Sequence, residues 1–135
     1  MKRIIVIFLI CAFPSTISAQ NTSESIVENF FNVYKNNSSD AIDYLFQDNK
    51  WMEDKFEELL NLKSQLFENQ KLLGEFCGYE KITEQNAGKD YKQLVYLVKY
   101  ERQPIRFIFE LYKPKEKWIV LNFSYDFNFD SEFIK

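Results

Sequence analysis

Between Leu94 and Phe123 three successive segments place an apolar or aromatic side chain at every second position: Leu94, Tyr96, Val98 and Tyr100, then Ile105, Phe107, Phe109 and Leu111, then Ile119, Leu121 and Phe123. Side chains of an extended chain alternate between two faces, so a period of two marks strands with one buried side. The connections Arg102-Gln103-Pro104 and Lys113-Pro114-Lys115-Glu116 are short and rich in turn residues, which points to antiparallel hairpins. A further candidate strand ends at Asn86-Ala87-Gly88-Lys89, so strands are expected over roughly 73–84, 91–101, 105–113 and 117–127.

Register follows by arithmetic. With Arg102 and Gln103 as the turn, Tyr100 faces Ile105, Val98 faces Phe107, Tyr96 faces Phe109 and Leu94 faces Leu111. With Lys115 as the next pivot, Leu111 faces Ile119, Phe109 faces Leu121 and Phe107 faces Phe123. One apolar face then runs unbroken across three strands. The opposite face carries Val95, Leu97 and Lys99, then Arg106, Ile108, Glu110 and Tyr112, then Trp118, Val120 and Asn122. A solvated face reads more cleanly polar than this. Val95, Leu97, Ile108, Tyr112, Trp118 and Val120 are therefore candidates for an interface, either with a protein partner or with a second copy in a homodimer, where Arg106 and Glu110 would pair across it.

Upstream the period is helical. Ile26, Phe30 and Val33 fall at i, i+4 and i+7, and Val27, Phe31 and Tyr34 repeat the spacing one residue later, which predicts a deeply buried helix over Glu24–Lys35. Asn36-Asn37-Ser38-Ser39 ends it, and Ser39 is placed to cap a short second helix with Ile42, Leu45 and Phe46 on one side. A third helix is expected from about Trp51 to Gln70, with Met52, Phe56, Leu59, Leu60, Leu66 and Phe67 as its apolar stripe. The fold class is α+β: three N-terminal helices covering one face of an antiparallel sheet of about four strands.

The first residues have the parts of a secretory signal. Lys2 and Arg3 precede an apolar stretch from Ile4 to Phe13 that is too short to span a bilayer, and Ser18-Ala19 leads to cleavage before Gln20. Cys11 follows Ile10, where a lipid-anchoring signal requires a small residue. Residues 1–19 are thus read as a signal peptide and 20–135 as a single exported domain, periplasmic or extracellular, with no membrane span left after cleavage. Removing Lys2 and Arg3 leaves 15 basic against 20 acidic residues, a net charge of −5 with no basic patch, which argues against nucleic acid. Cys77 alone remains, so no internal disulfide staples the domain and the core must hold it. The 14 Phe, 8 Tyr and 2 Trp supply that core.

The helix Ile26–Tyr34, the segment Leu73-Gly74-Glu75-Phe76-Cys77-Gly78-Tyr79-Glu80, the strand Tyr96–Tyr100, and the ending Phe109-Glu110-Leu111-Tyr112-Lys113-Pro114 through Trp118 to Phe123 resemble the nuclear-transport-factor-2-like superfamily, related in shape to cystatin-like domains, and in particular its small secreted bacterial members. The resemblance implies a cone-shaped, curved sheet folded around a pocket, often with dimerisation through the sheet. It implies no one chemistry, because the superfamily holds isomerases, dehydratases, transport factors and binding modules. Its enzymes place Asp, His or Tyr inside the cone. This chain has no His, and the apolar face of its three strands carries no Asp or Glu.

Chemical motifs are sparse. Asp126-Phe127-Asn128-Phe129-Asp130 begins like a calcium loop but has Ser131 where Gly is needed, and reads instead as an extended edge. Cys77 has no His to activate it and is expected to be a small buried hydrophobe. Gly74 and Gly78 point to a bulge or a close backbone approach, and Glu53/Glu57 and Asp40/Asp43 to solvated helix faces. No cofactor or metal is expected. The leading functional reading is a non-enzymatic binding module that takes a small apolar ligand in an aromatic pocket lined by Phe30, Tyr34, Tyr96, Phe107 and Phe123. Two other readings stand beside it: an interaction domain acting through the sheet face, and an isomerase or hydratase using Tyr hydroxyls and one carboxylate. The export reading is checked by intact mass. The secreted protein is expected to begin at or near Gln20, and full-length chain held stably in the membrane would refute it.

Overall fold

The sheet is an antiparallel meander in the order β1-β2-β3-β4, and its apolar side is what the helices cover. The computed structural model describes residues 21–134; the expected signal peptide 1–19 and its cleavage point at Gln20 lie outside the described residues. In chain order the elements are α1 (Ser23–Tyr34), α2 (Ser38–Phe46), a 3₁₀ segment (Lys50–Lys55), α3 (Phe56–Leu73), β1 (Phe76–Asn86), β2 (Tyr91–Tyr100), β3 (Ile105–Tyr112) and β4 (Ile119–Asp126). The chain is an α+β fold with three helices packed on one face of a curved four-stranded sheet.

Local chemistry sets the helix limits. Thr22 and Ser25 form a reciprocal capping box at the start of α1. Asn37, rather than the expected Ser39, caps α2 by accepting from the Asp40 N–H at 3.0 Å. Asn49 is buried and works in both directions. Its Oδ1 accepts from the Trp51 N–H at 3.1 Å and its Nδ2 donates to the Val120 carbonyl at 2.8 Å, tying the 3₁₀ segment to β4. Gly74 ends α3 with φ +85°, and a Cβ there would lie 3.1 Å from the Glu101 carboxylate, so both backbone and space require glycine.

The core is aromatic. Val27, Phe30, Phe31 and Tyr34 of α1 are fully enclosed and meet Phe107 and Phe109 of β3 and Phe123 of β4. Phe30 lies 5.2 Å from Phe109, 5.7 Å from Phe123 and 6.2 Å from Phe107, ring centre to ring centre, while Phe31 stacks on Tyr79 at 3.9 Å. Edge-to-face and offset geometries of this kind add to the burial of the rings themselves.

The register differs from the arithmetic in two places. Between β2 and β3 the pairs are Val98–Ile105, Tyr96–Phe107 and Leu94–Phe109, a slip of two residues. The slip is even, so every side chain keeps its face. Its cause is the connection: the Glu101 N–H donates to the Glu75 carbonyl and the Arg102 N–H to the Leu73 carbonyl, drawing the loop to the α3–β1 junction instead of closing a tight turn. Between β3 and β4 a bulge interrupts the pairing after Leu111–Val120, and pairing resumes at Glu110–Asn122 and Phe109–Phe123. The bulge turns Val120 into the core and Leu121 out, with 2% and 37% of their surfaces exposed.

Trp118 and Val120 accordingly belong to the core cluster and not to the opposite face of the sheet. On that face Val95 is already buried, Leu97 and Ile108 are half-buried, and Tyr112 is exposed. The charges expected to reach across an interface have partners within the chain. Arg106 grips the Asp126 carboxylate at 2.9 and 2.6 Å and Glu132 at 3.0 Å, and Glu110 accepts from the Tyr91 hydroxyl at 3.2 Å.

The stripe assigned to α3 is also corrected. Leu66 and Leu73 are its buried residues, Met52 of the preceding segment and Leu59 and Leu62 are half-buried, and Phe56, Leu60 and Phe67 face outward. Cys77 is exposed, because it occupies the extra position of a β1 bulge between Phe76 and Gly78, with its thiol near the Glu75 carbonyl at 3.3 Å. The β4 bulge is tested by paired truncations in urea unfolding. Val120→Ala is expected to cost about 1.5–3 kcal/mol and Leu121→Ala about 0.5 kcal/mol or less; the reverse order would restore the unbroken register.

Candidate functional site

The five residues expected to line a pocket do not surround a space. Phe30, Phe107 and Phe123 close on one another, and Tyr96 packs against Phe31, Tyr79 and Phe109. Tyr34 does line a cavity, an open groove at the end of α1. Tyr34 closes α1, and the turn Lys35–Asn37 then carries the chain into α2. Beside this turn stand Lys63, Ser64, Phe67 and Gln70 of α3, Gly74, Phe76 at the start of β1, and Tyr100 at the end of β2. Together they line an open groove of about 590 Å³.

The floor of the groove is a hydroxyl pair. Tyr34 Oη and Tyr100 Oη are 2.5 Å apart, and Gln70 Nε2 donates to Tyr100 Oη at 3.2 Å. Either hydroxyl can donate. Tyr34 is wholly enclosed, and with Tyr34 as the donor its buried O–H is satisfied by Tyr100. The Tyr100 oxygen then accepts from both Tyr34 and Gln70, and its own O–H is left to donate toward the groove. Turning the Gln70 amide over only moves the spare donor from Tyr100 to Gln70. Burial, reinforced by the neighbouring Tyr100, pushes the Tyr34 hydroxyl far above the usual tyrosine range. Burial also raises Tyr100, against the lowering effect of the bonds it receives from Tyr34 and Gln70. Both are neutral donors at physiological pH.

The walls are mixed. Phe76 lies 5.7 Å from Tyr34 and 5.9 Å from Tyr100, ring centre to ring centre, and Phe67 forms the opposite apolar side. Two lysines line the groove, Lys35 and Lys63, and no acid does. Lys63 is held by Asp43 from outside the lining at 2.5 Å. Asp43 offsets the Lys63 charge, and Lys35 remains as the cation of the lining without an acid within it.

The remaining motifs are structural. Asp126 Oδ1 accepts from the Asn128 N–H at 3.0 Å and Asn128 Oδ1 from the Asp130 N–H at 2.9 Å, so the ending forms successive side-chain-capped turns in place of an extended edge. Arg106 holds the Asp126 carboxyl below its usual range. Glu53, Glu57 and Asp40 are exposed on helix surfaces. Among the described residues no group of three His, Cys, Asp or Glu side chains is placed to hold a metal ion.

Sequence reasoning listed Tyr100 only as a member of the apolar face and did not single out Gln70, Phe67 or Phe76. The available signal was position: a tyrosine at the last inward site of a strand has its ring in the core and its hydroxyl at the rim. No family model, curated protein or solved structure matches the chain.

Urea unfolding tests the pair. Tyr100→Phe removes the hydroxyl that pairs with the buried Tyr34 hydroxyl and is expected to cost about 1–3 kcal/mol at neutral pH. Burial raises Tyr96 to about 12 as well as raising Tyr34. Unfolded tyrosines lose their protons near pH ~10 while these stay protonated in the fold, so stability is expected to be level below that pH and to fall above it, less steeply in Tyr34→Phe.

Proposed function

We propose that this chain is an exported, non-enzymatic binding module of nuclear-transport-factor-2-like shape, and that it takes a small ligand in the groove between the α1–α2 turn, α3 and the ends of β1 and β2. The observation that carries the reading is the Tyr34–Tyr100–Gln70 chain, which delivers a spare hydrogen-bond donor to the floor of a groove with apolar sides. A few convergent polar groups in a concave apolar setting are the usual means of orienting a small molecule. The ligand chemistry that fits is a hydrogen-bond acceptor, best a carboxylate, on an alkyl or aryl body. The acceptor meets Tyr100, Lys35 favours negative charge, and Phe67 and Phe76 flank the body.

The isomerase or hydratase reading has less support. It requires a carboxylate beside the tyrosines, and none lines this groove. Interaction through the opposite sheet face loses two of its six candidate residues, Trp118 and Val120, to the core.

Native mass spectrometry of the purified mature protein for retained small molecules, followed by an NMR titration with alkyl and aryl carboxylates, tests the proposal. Shifts are expected at Tyr34, Ser39, Gln70 and Tyr100, with affinity reduced about tenfold or more in Tyr100→Phe, as for loss of a hydrogen bond to a charged group. Shifts confined to Leu97, Ile108 and Tyr112, or none with any carboxylate at millimolar concentration, would overturn it.

A further inference from the structure

α3 leaves a bare apolar ridge. It buries Leu66 and Leu73, yet Phe56, Leu60 and Phe67 remain 66%, 47% and 53% exposed. At 3.6 residues per turn these three side chains fall within roughly 40° of one another around the helix. They lie about a third of a turn from the side that meets the core. Scattered exposed apolar residues are ordinary, but three large ones aligned on one helix face are not.

We propose that this ridge binds a second copy of the same chain, α3 against α3, antiparallel about a twofold axis near Ser64. The pattern along the helix is self-complementary in that orientation. Leu60 of one copy falls beside Phe67 of the other, and the reverse contact is made by symmetry. Lys63 and Ser64 stand at the crossing; Asp43 of the same chain holds the Lys63 ammonium, and the small side chain of Ser64 lets the two backbones approach. The charges match as well. The first turn of α3 is acidic, with Glu57 and Glu58, and the last turn carries Lys71, which lies over the Phe67 ring and makes a loose, exposed pair with Glu68 at 3.5 Å that an interface could replace. Glu57 and Lys71 flank the ridge on one side, so the antiparallel arrangement sets Glu57 of each copy beside Lys71 of the other. A parallel arrangement would instead set like charges together. An isologous contact of this kind closes on itself and uses one patch twice.

The opposite face of the sheet is the weaker candidate for self-association. Val95 there is already buried, and Arg106 is held by Asp126 and Glu132 of its own chain. The ridge shares Ser64 and Phe67 with the groove, so a dimer and a ligand would compete, whereas Leu60 and Glu57 lie outside the groove and test the dimer alone.

Light scattering and sedimentation of the mature protein over a micromolar concentration series read the result. Wild type is expected to dimerise. Leu60→Glu, an exposed position that leaves the core intact, is expected to raise the dissociation constant about tenfold or more, the worth of burying a leucine against burying a charge. Glu57→Lys and Lys71→Glu are each expected to weaken the dimer several-fold, and the two changes together in one chain are expected to recover most of the loss. A wild type that stays monomeric at high micromolar concentration overturns the proposal and leaves the ridge to a different protein. A dimer indifferent to Leu60→Glu, or charge reversals whose effects merely add, overturns it too and places self-association elsewhere.

Discussion

Phe30 sits among rings from three directions: Phe31 and Tyr34 on its own helix, Phe107 and Phe109 on β3, and Phe123 on β4. The contact between this helix and the middle of the sheet sustains the rest of the molecule. A domain of this size with a single cysteine after the expected signal has no covalent staple, and it gains its stability by removing apolar surface from water. Because large planar rings fill the space between helix and sheet, little room remains there. The filling that makes the fold stable also moves any binding site to the rim.

At that rim the last turn of α1 and the last residue of β2 place two hydroxyls together. Tyrosine suits the position because its ring completes the core while its oxygen emerges at the edge. When the buried hydroxyl gives its proton to the outer one, the outer one is left with a donor to spare. The groove's chemistry follows from satisfying one buried polar group. Its two lysines come from separate elements, and neither is close to the other in sequence.

α3 is held differently from α1. Its amphipathic stripe is split between a narrow inward side, at Leu66 and Leu73, and an outward ridge. The sheet can accept only so much cover, and α1 and α2 take the larger share of it through Val27, Phe30, Phe31, Ala41, Ile42, Leu45 and Phe46. A helix with few buried contacts is also the part of a domain most free to open locally. The groove and the ridge share one side of this helix, with Ser64 and Phe67 common to both.

Periodicity alone determined which side chains of Leu94–Leu111 turn inward, the identity of α1 as the buried helix, and the α+β class. Inward and outward placement survives any even slip of register, as the two-residue shift between β2 and β3 illustrates. The site was legible only in Tyr34, because Gln70 and Tyr100 lie far from it in the chain and nothing local marks their meeting. Tertiary structure decided what an odd displacement controls. The single extra residue at Leu121 carried Val120 and Trp118 into the core, and the bulge at Cys77 turned an expected core thiol out to solvent. It likewise decided which half of the α3 stripe is covered. Strand parity is a property of neighbouring residues, whereas a bulge, a meeting of hydroxyls or the cover over a helix is chosen by contacts between residues distant in sequence, where the free energies of burial are compared across the whole fold.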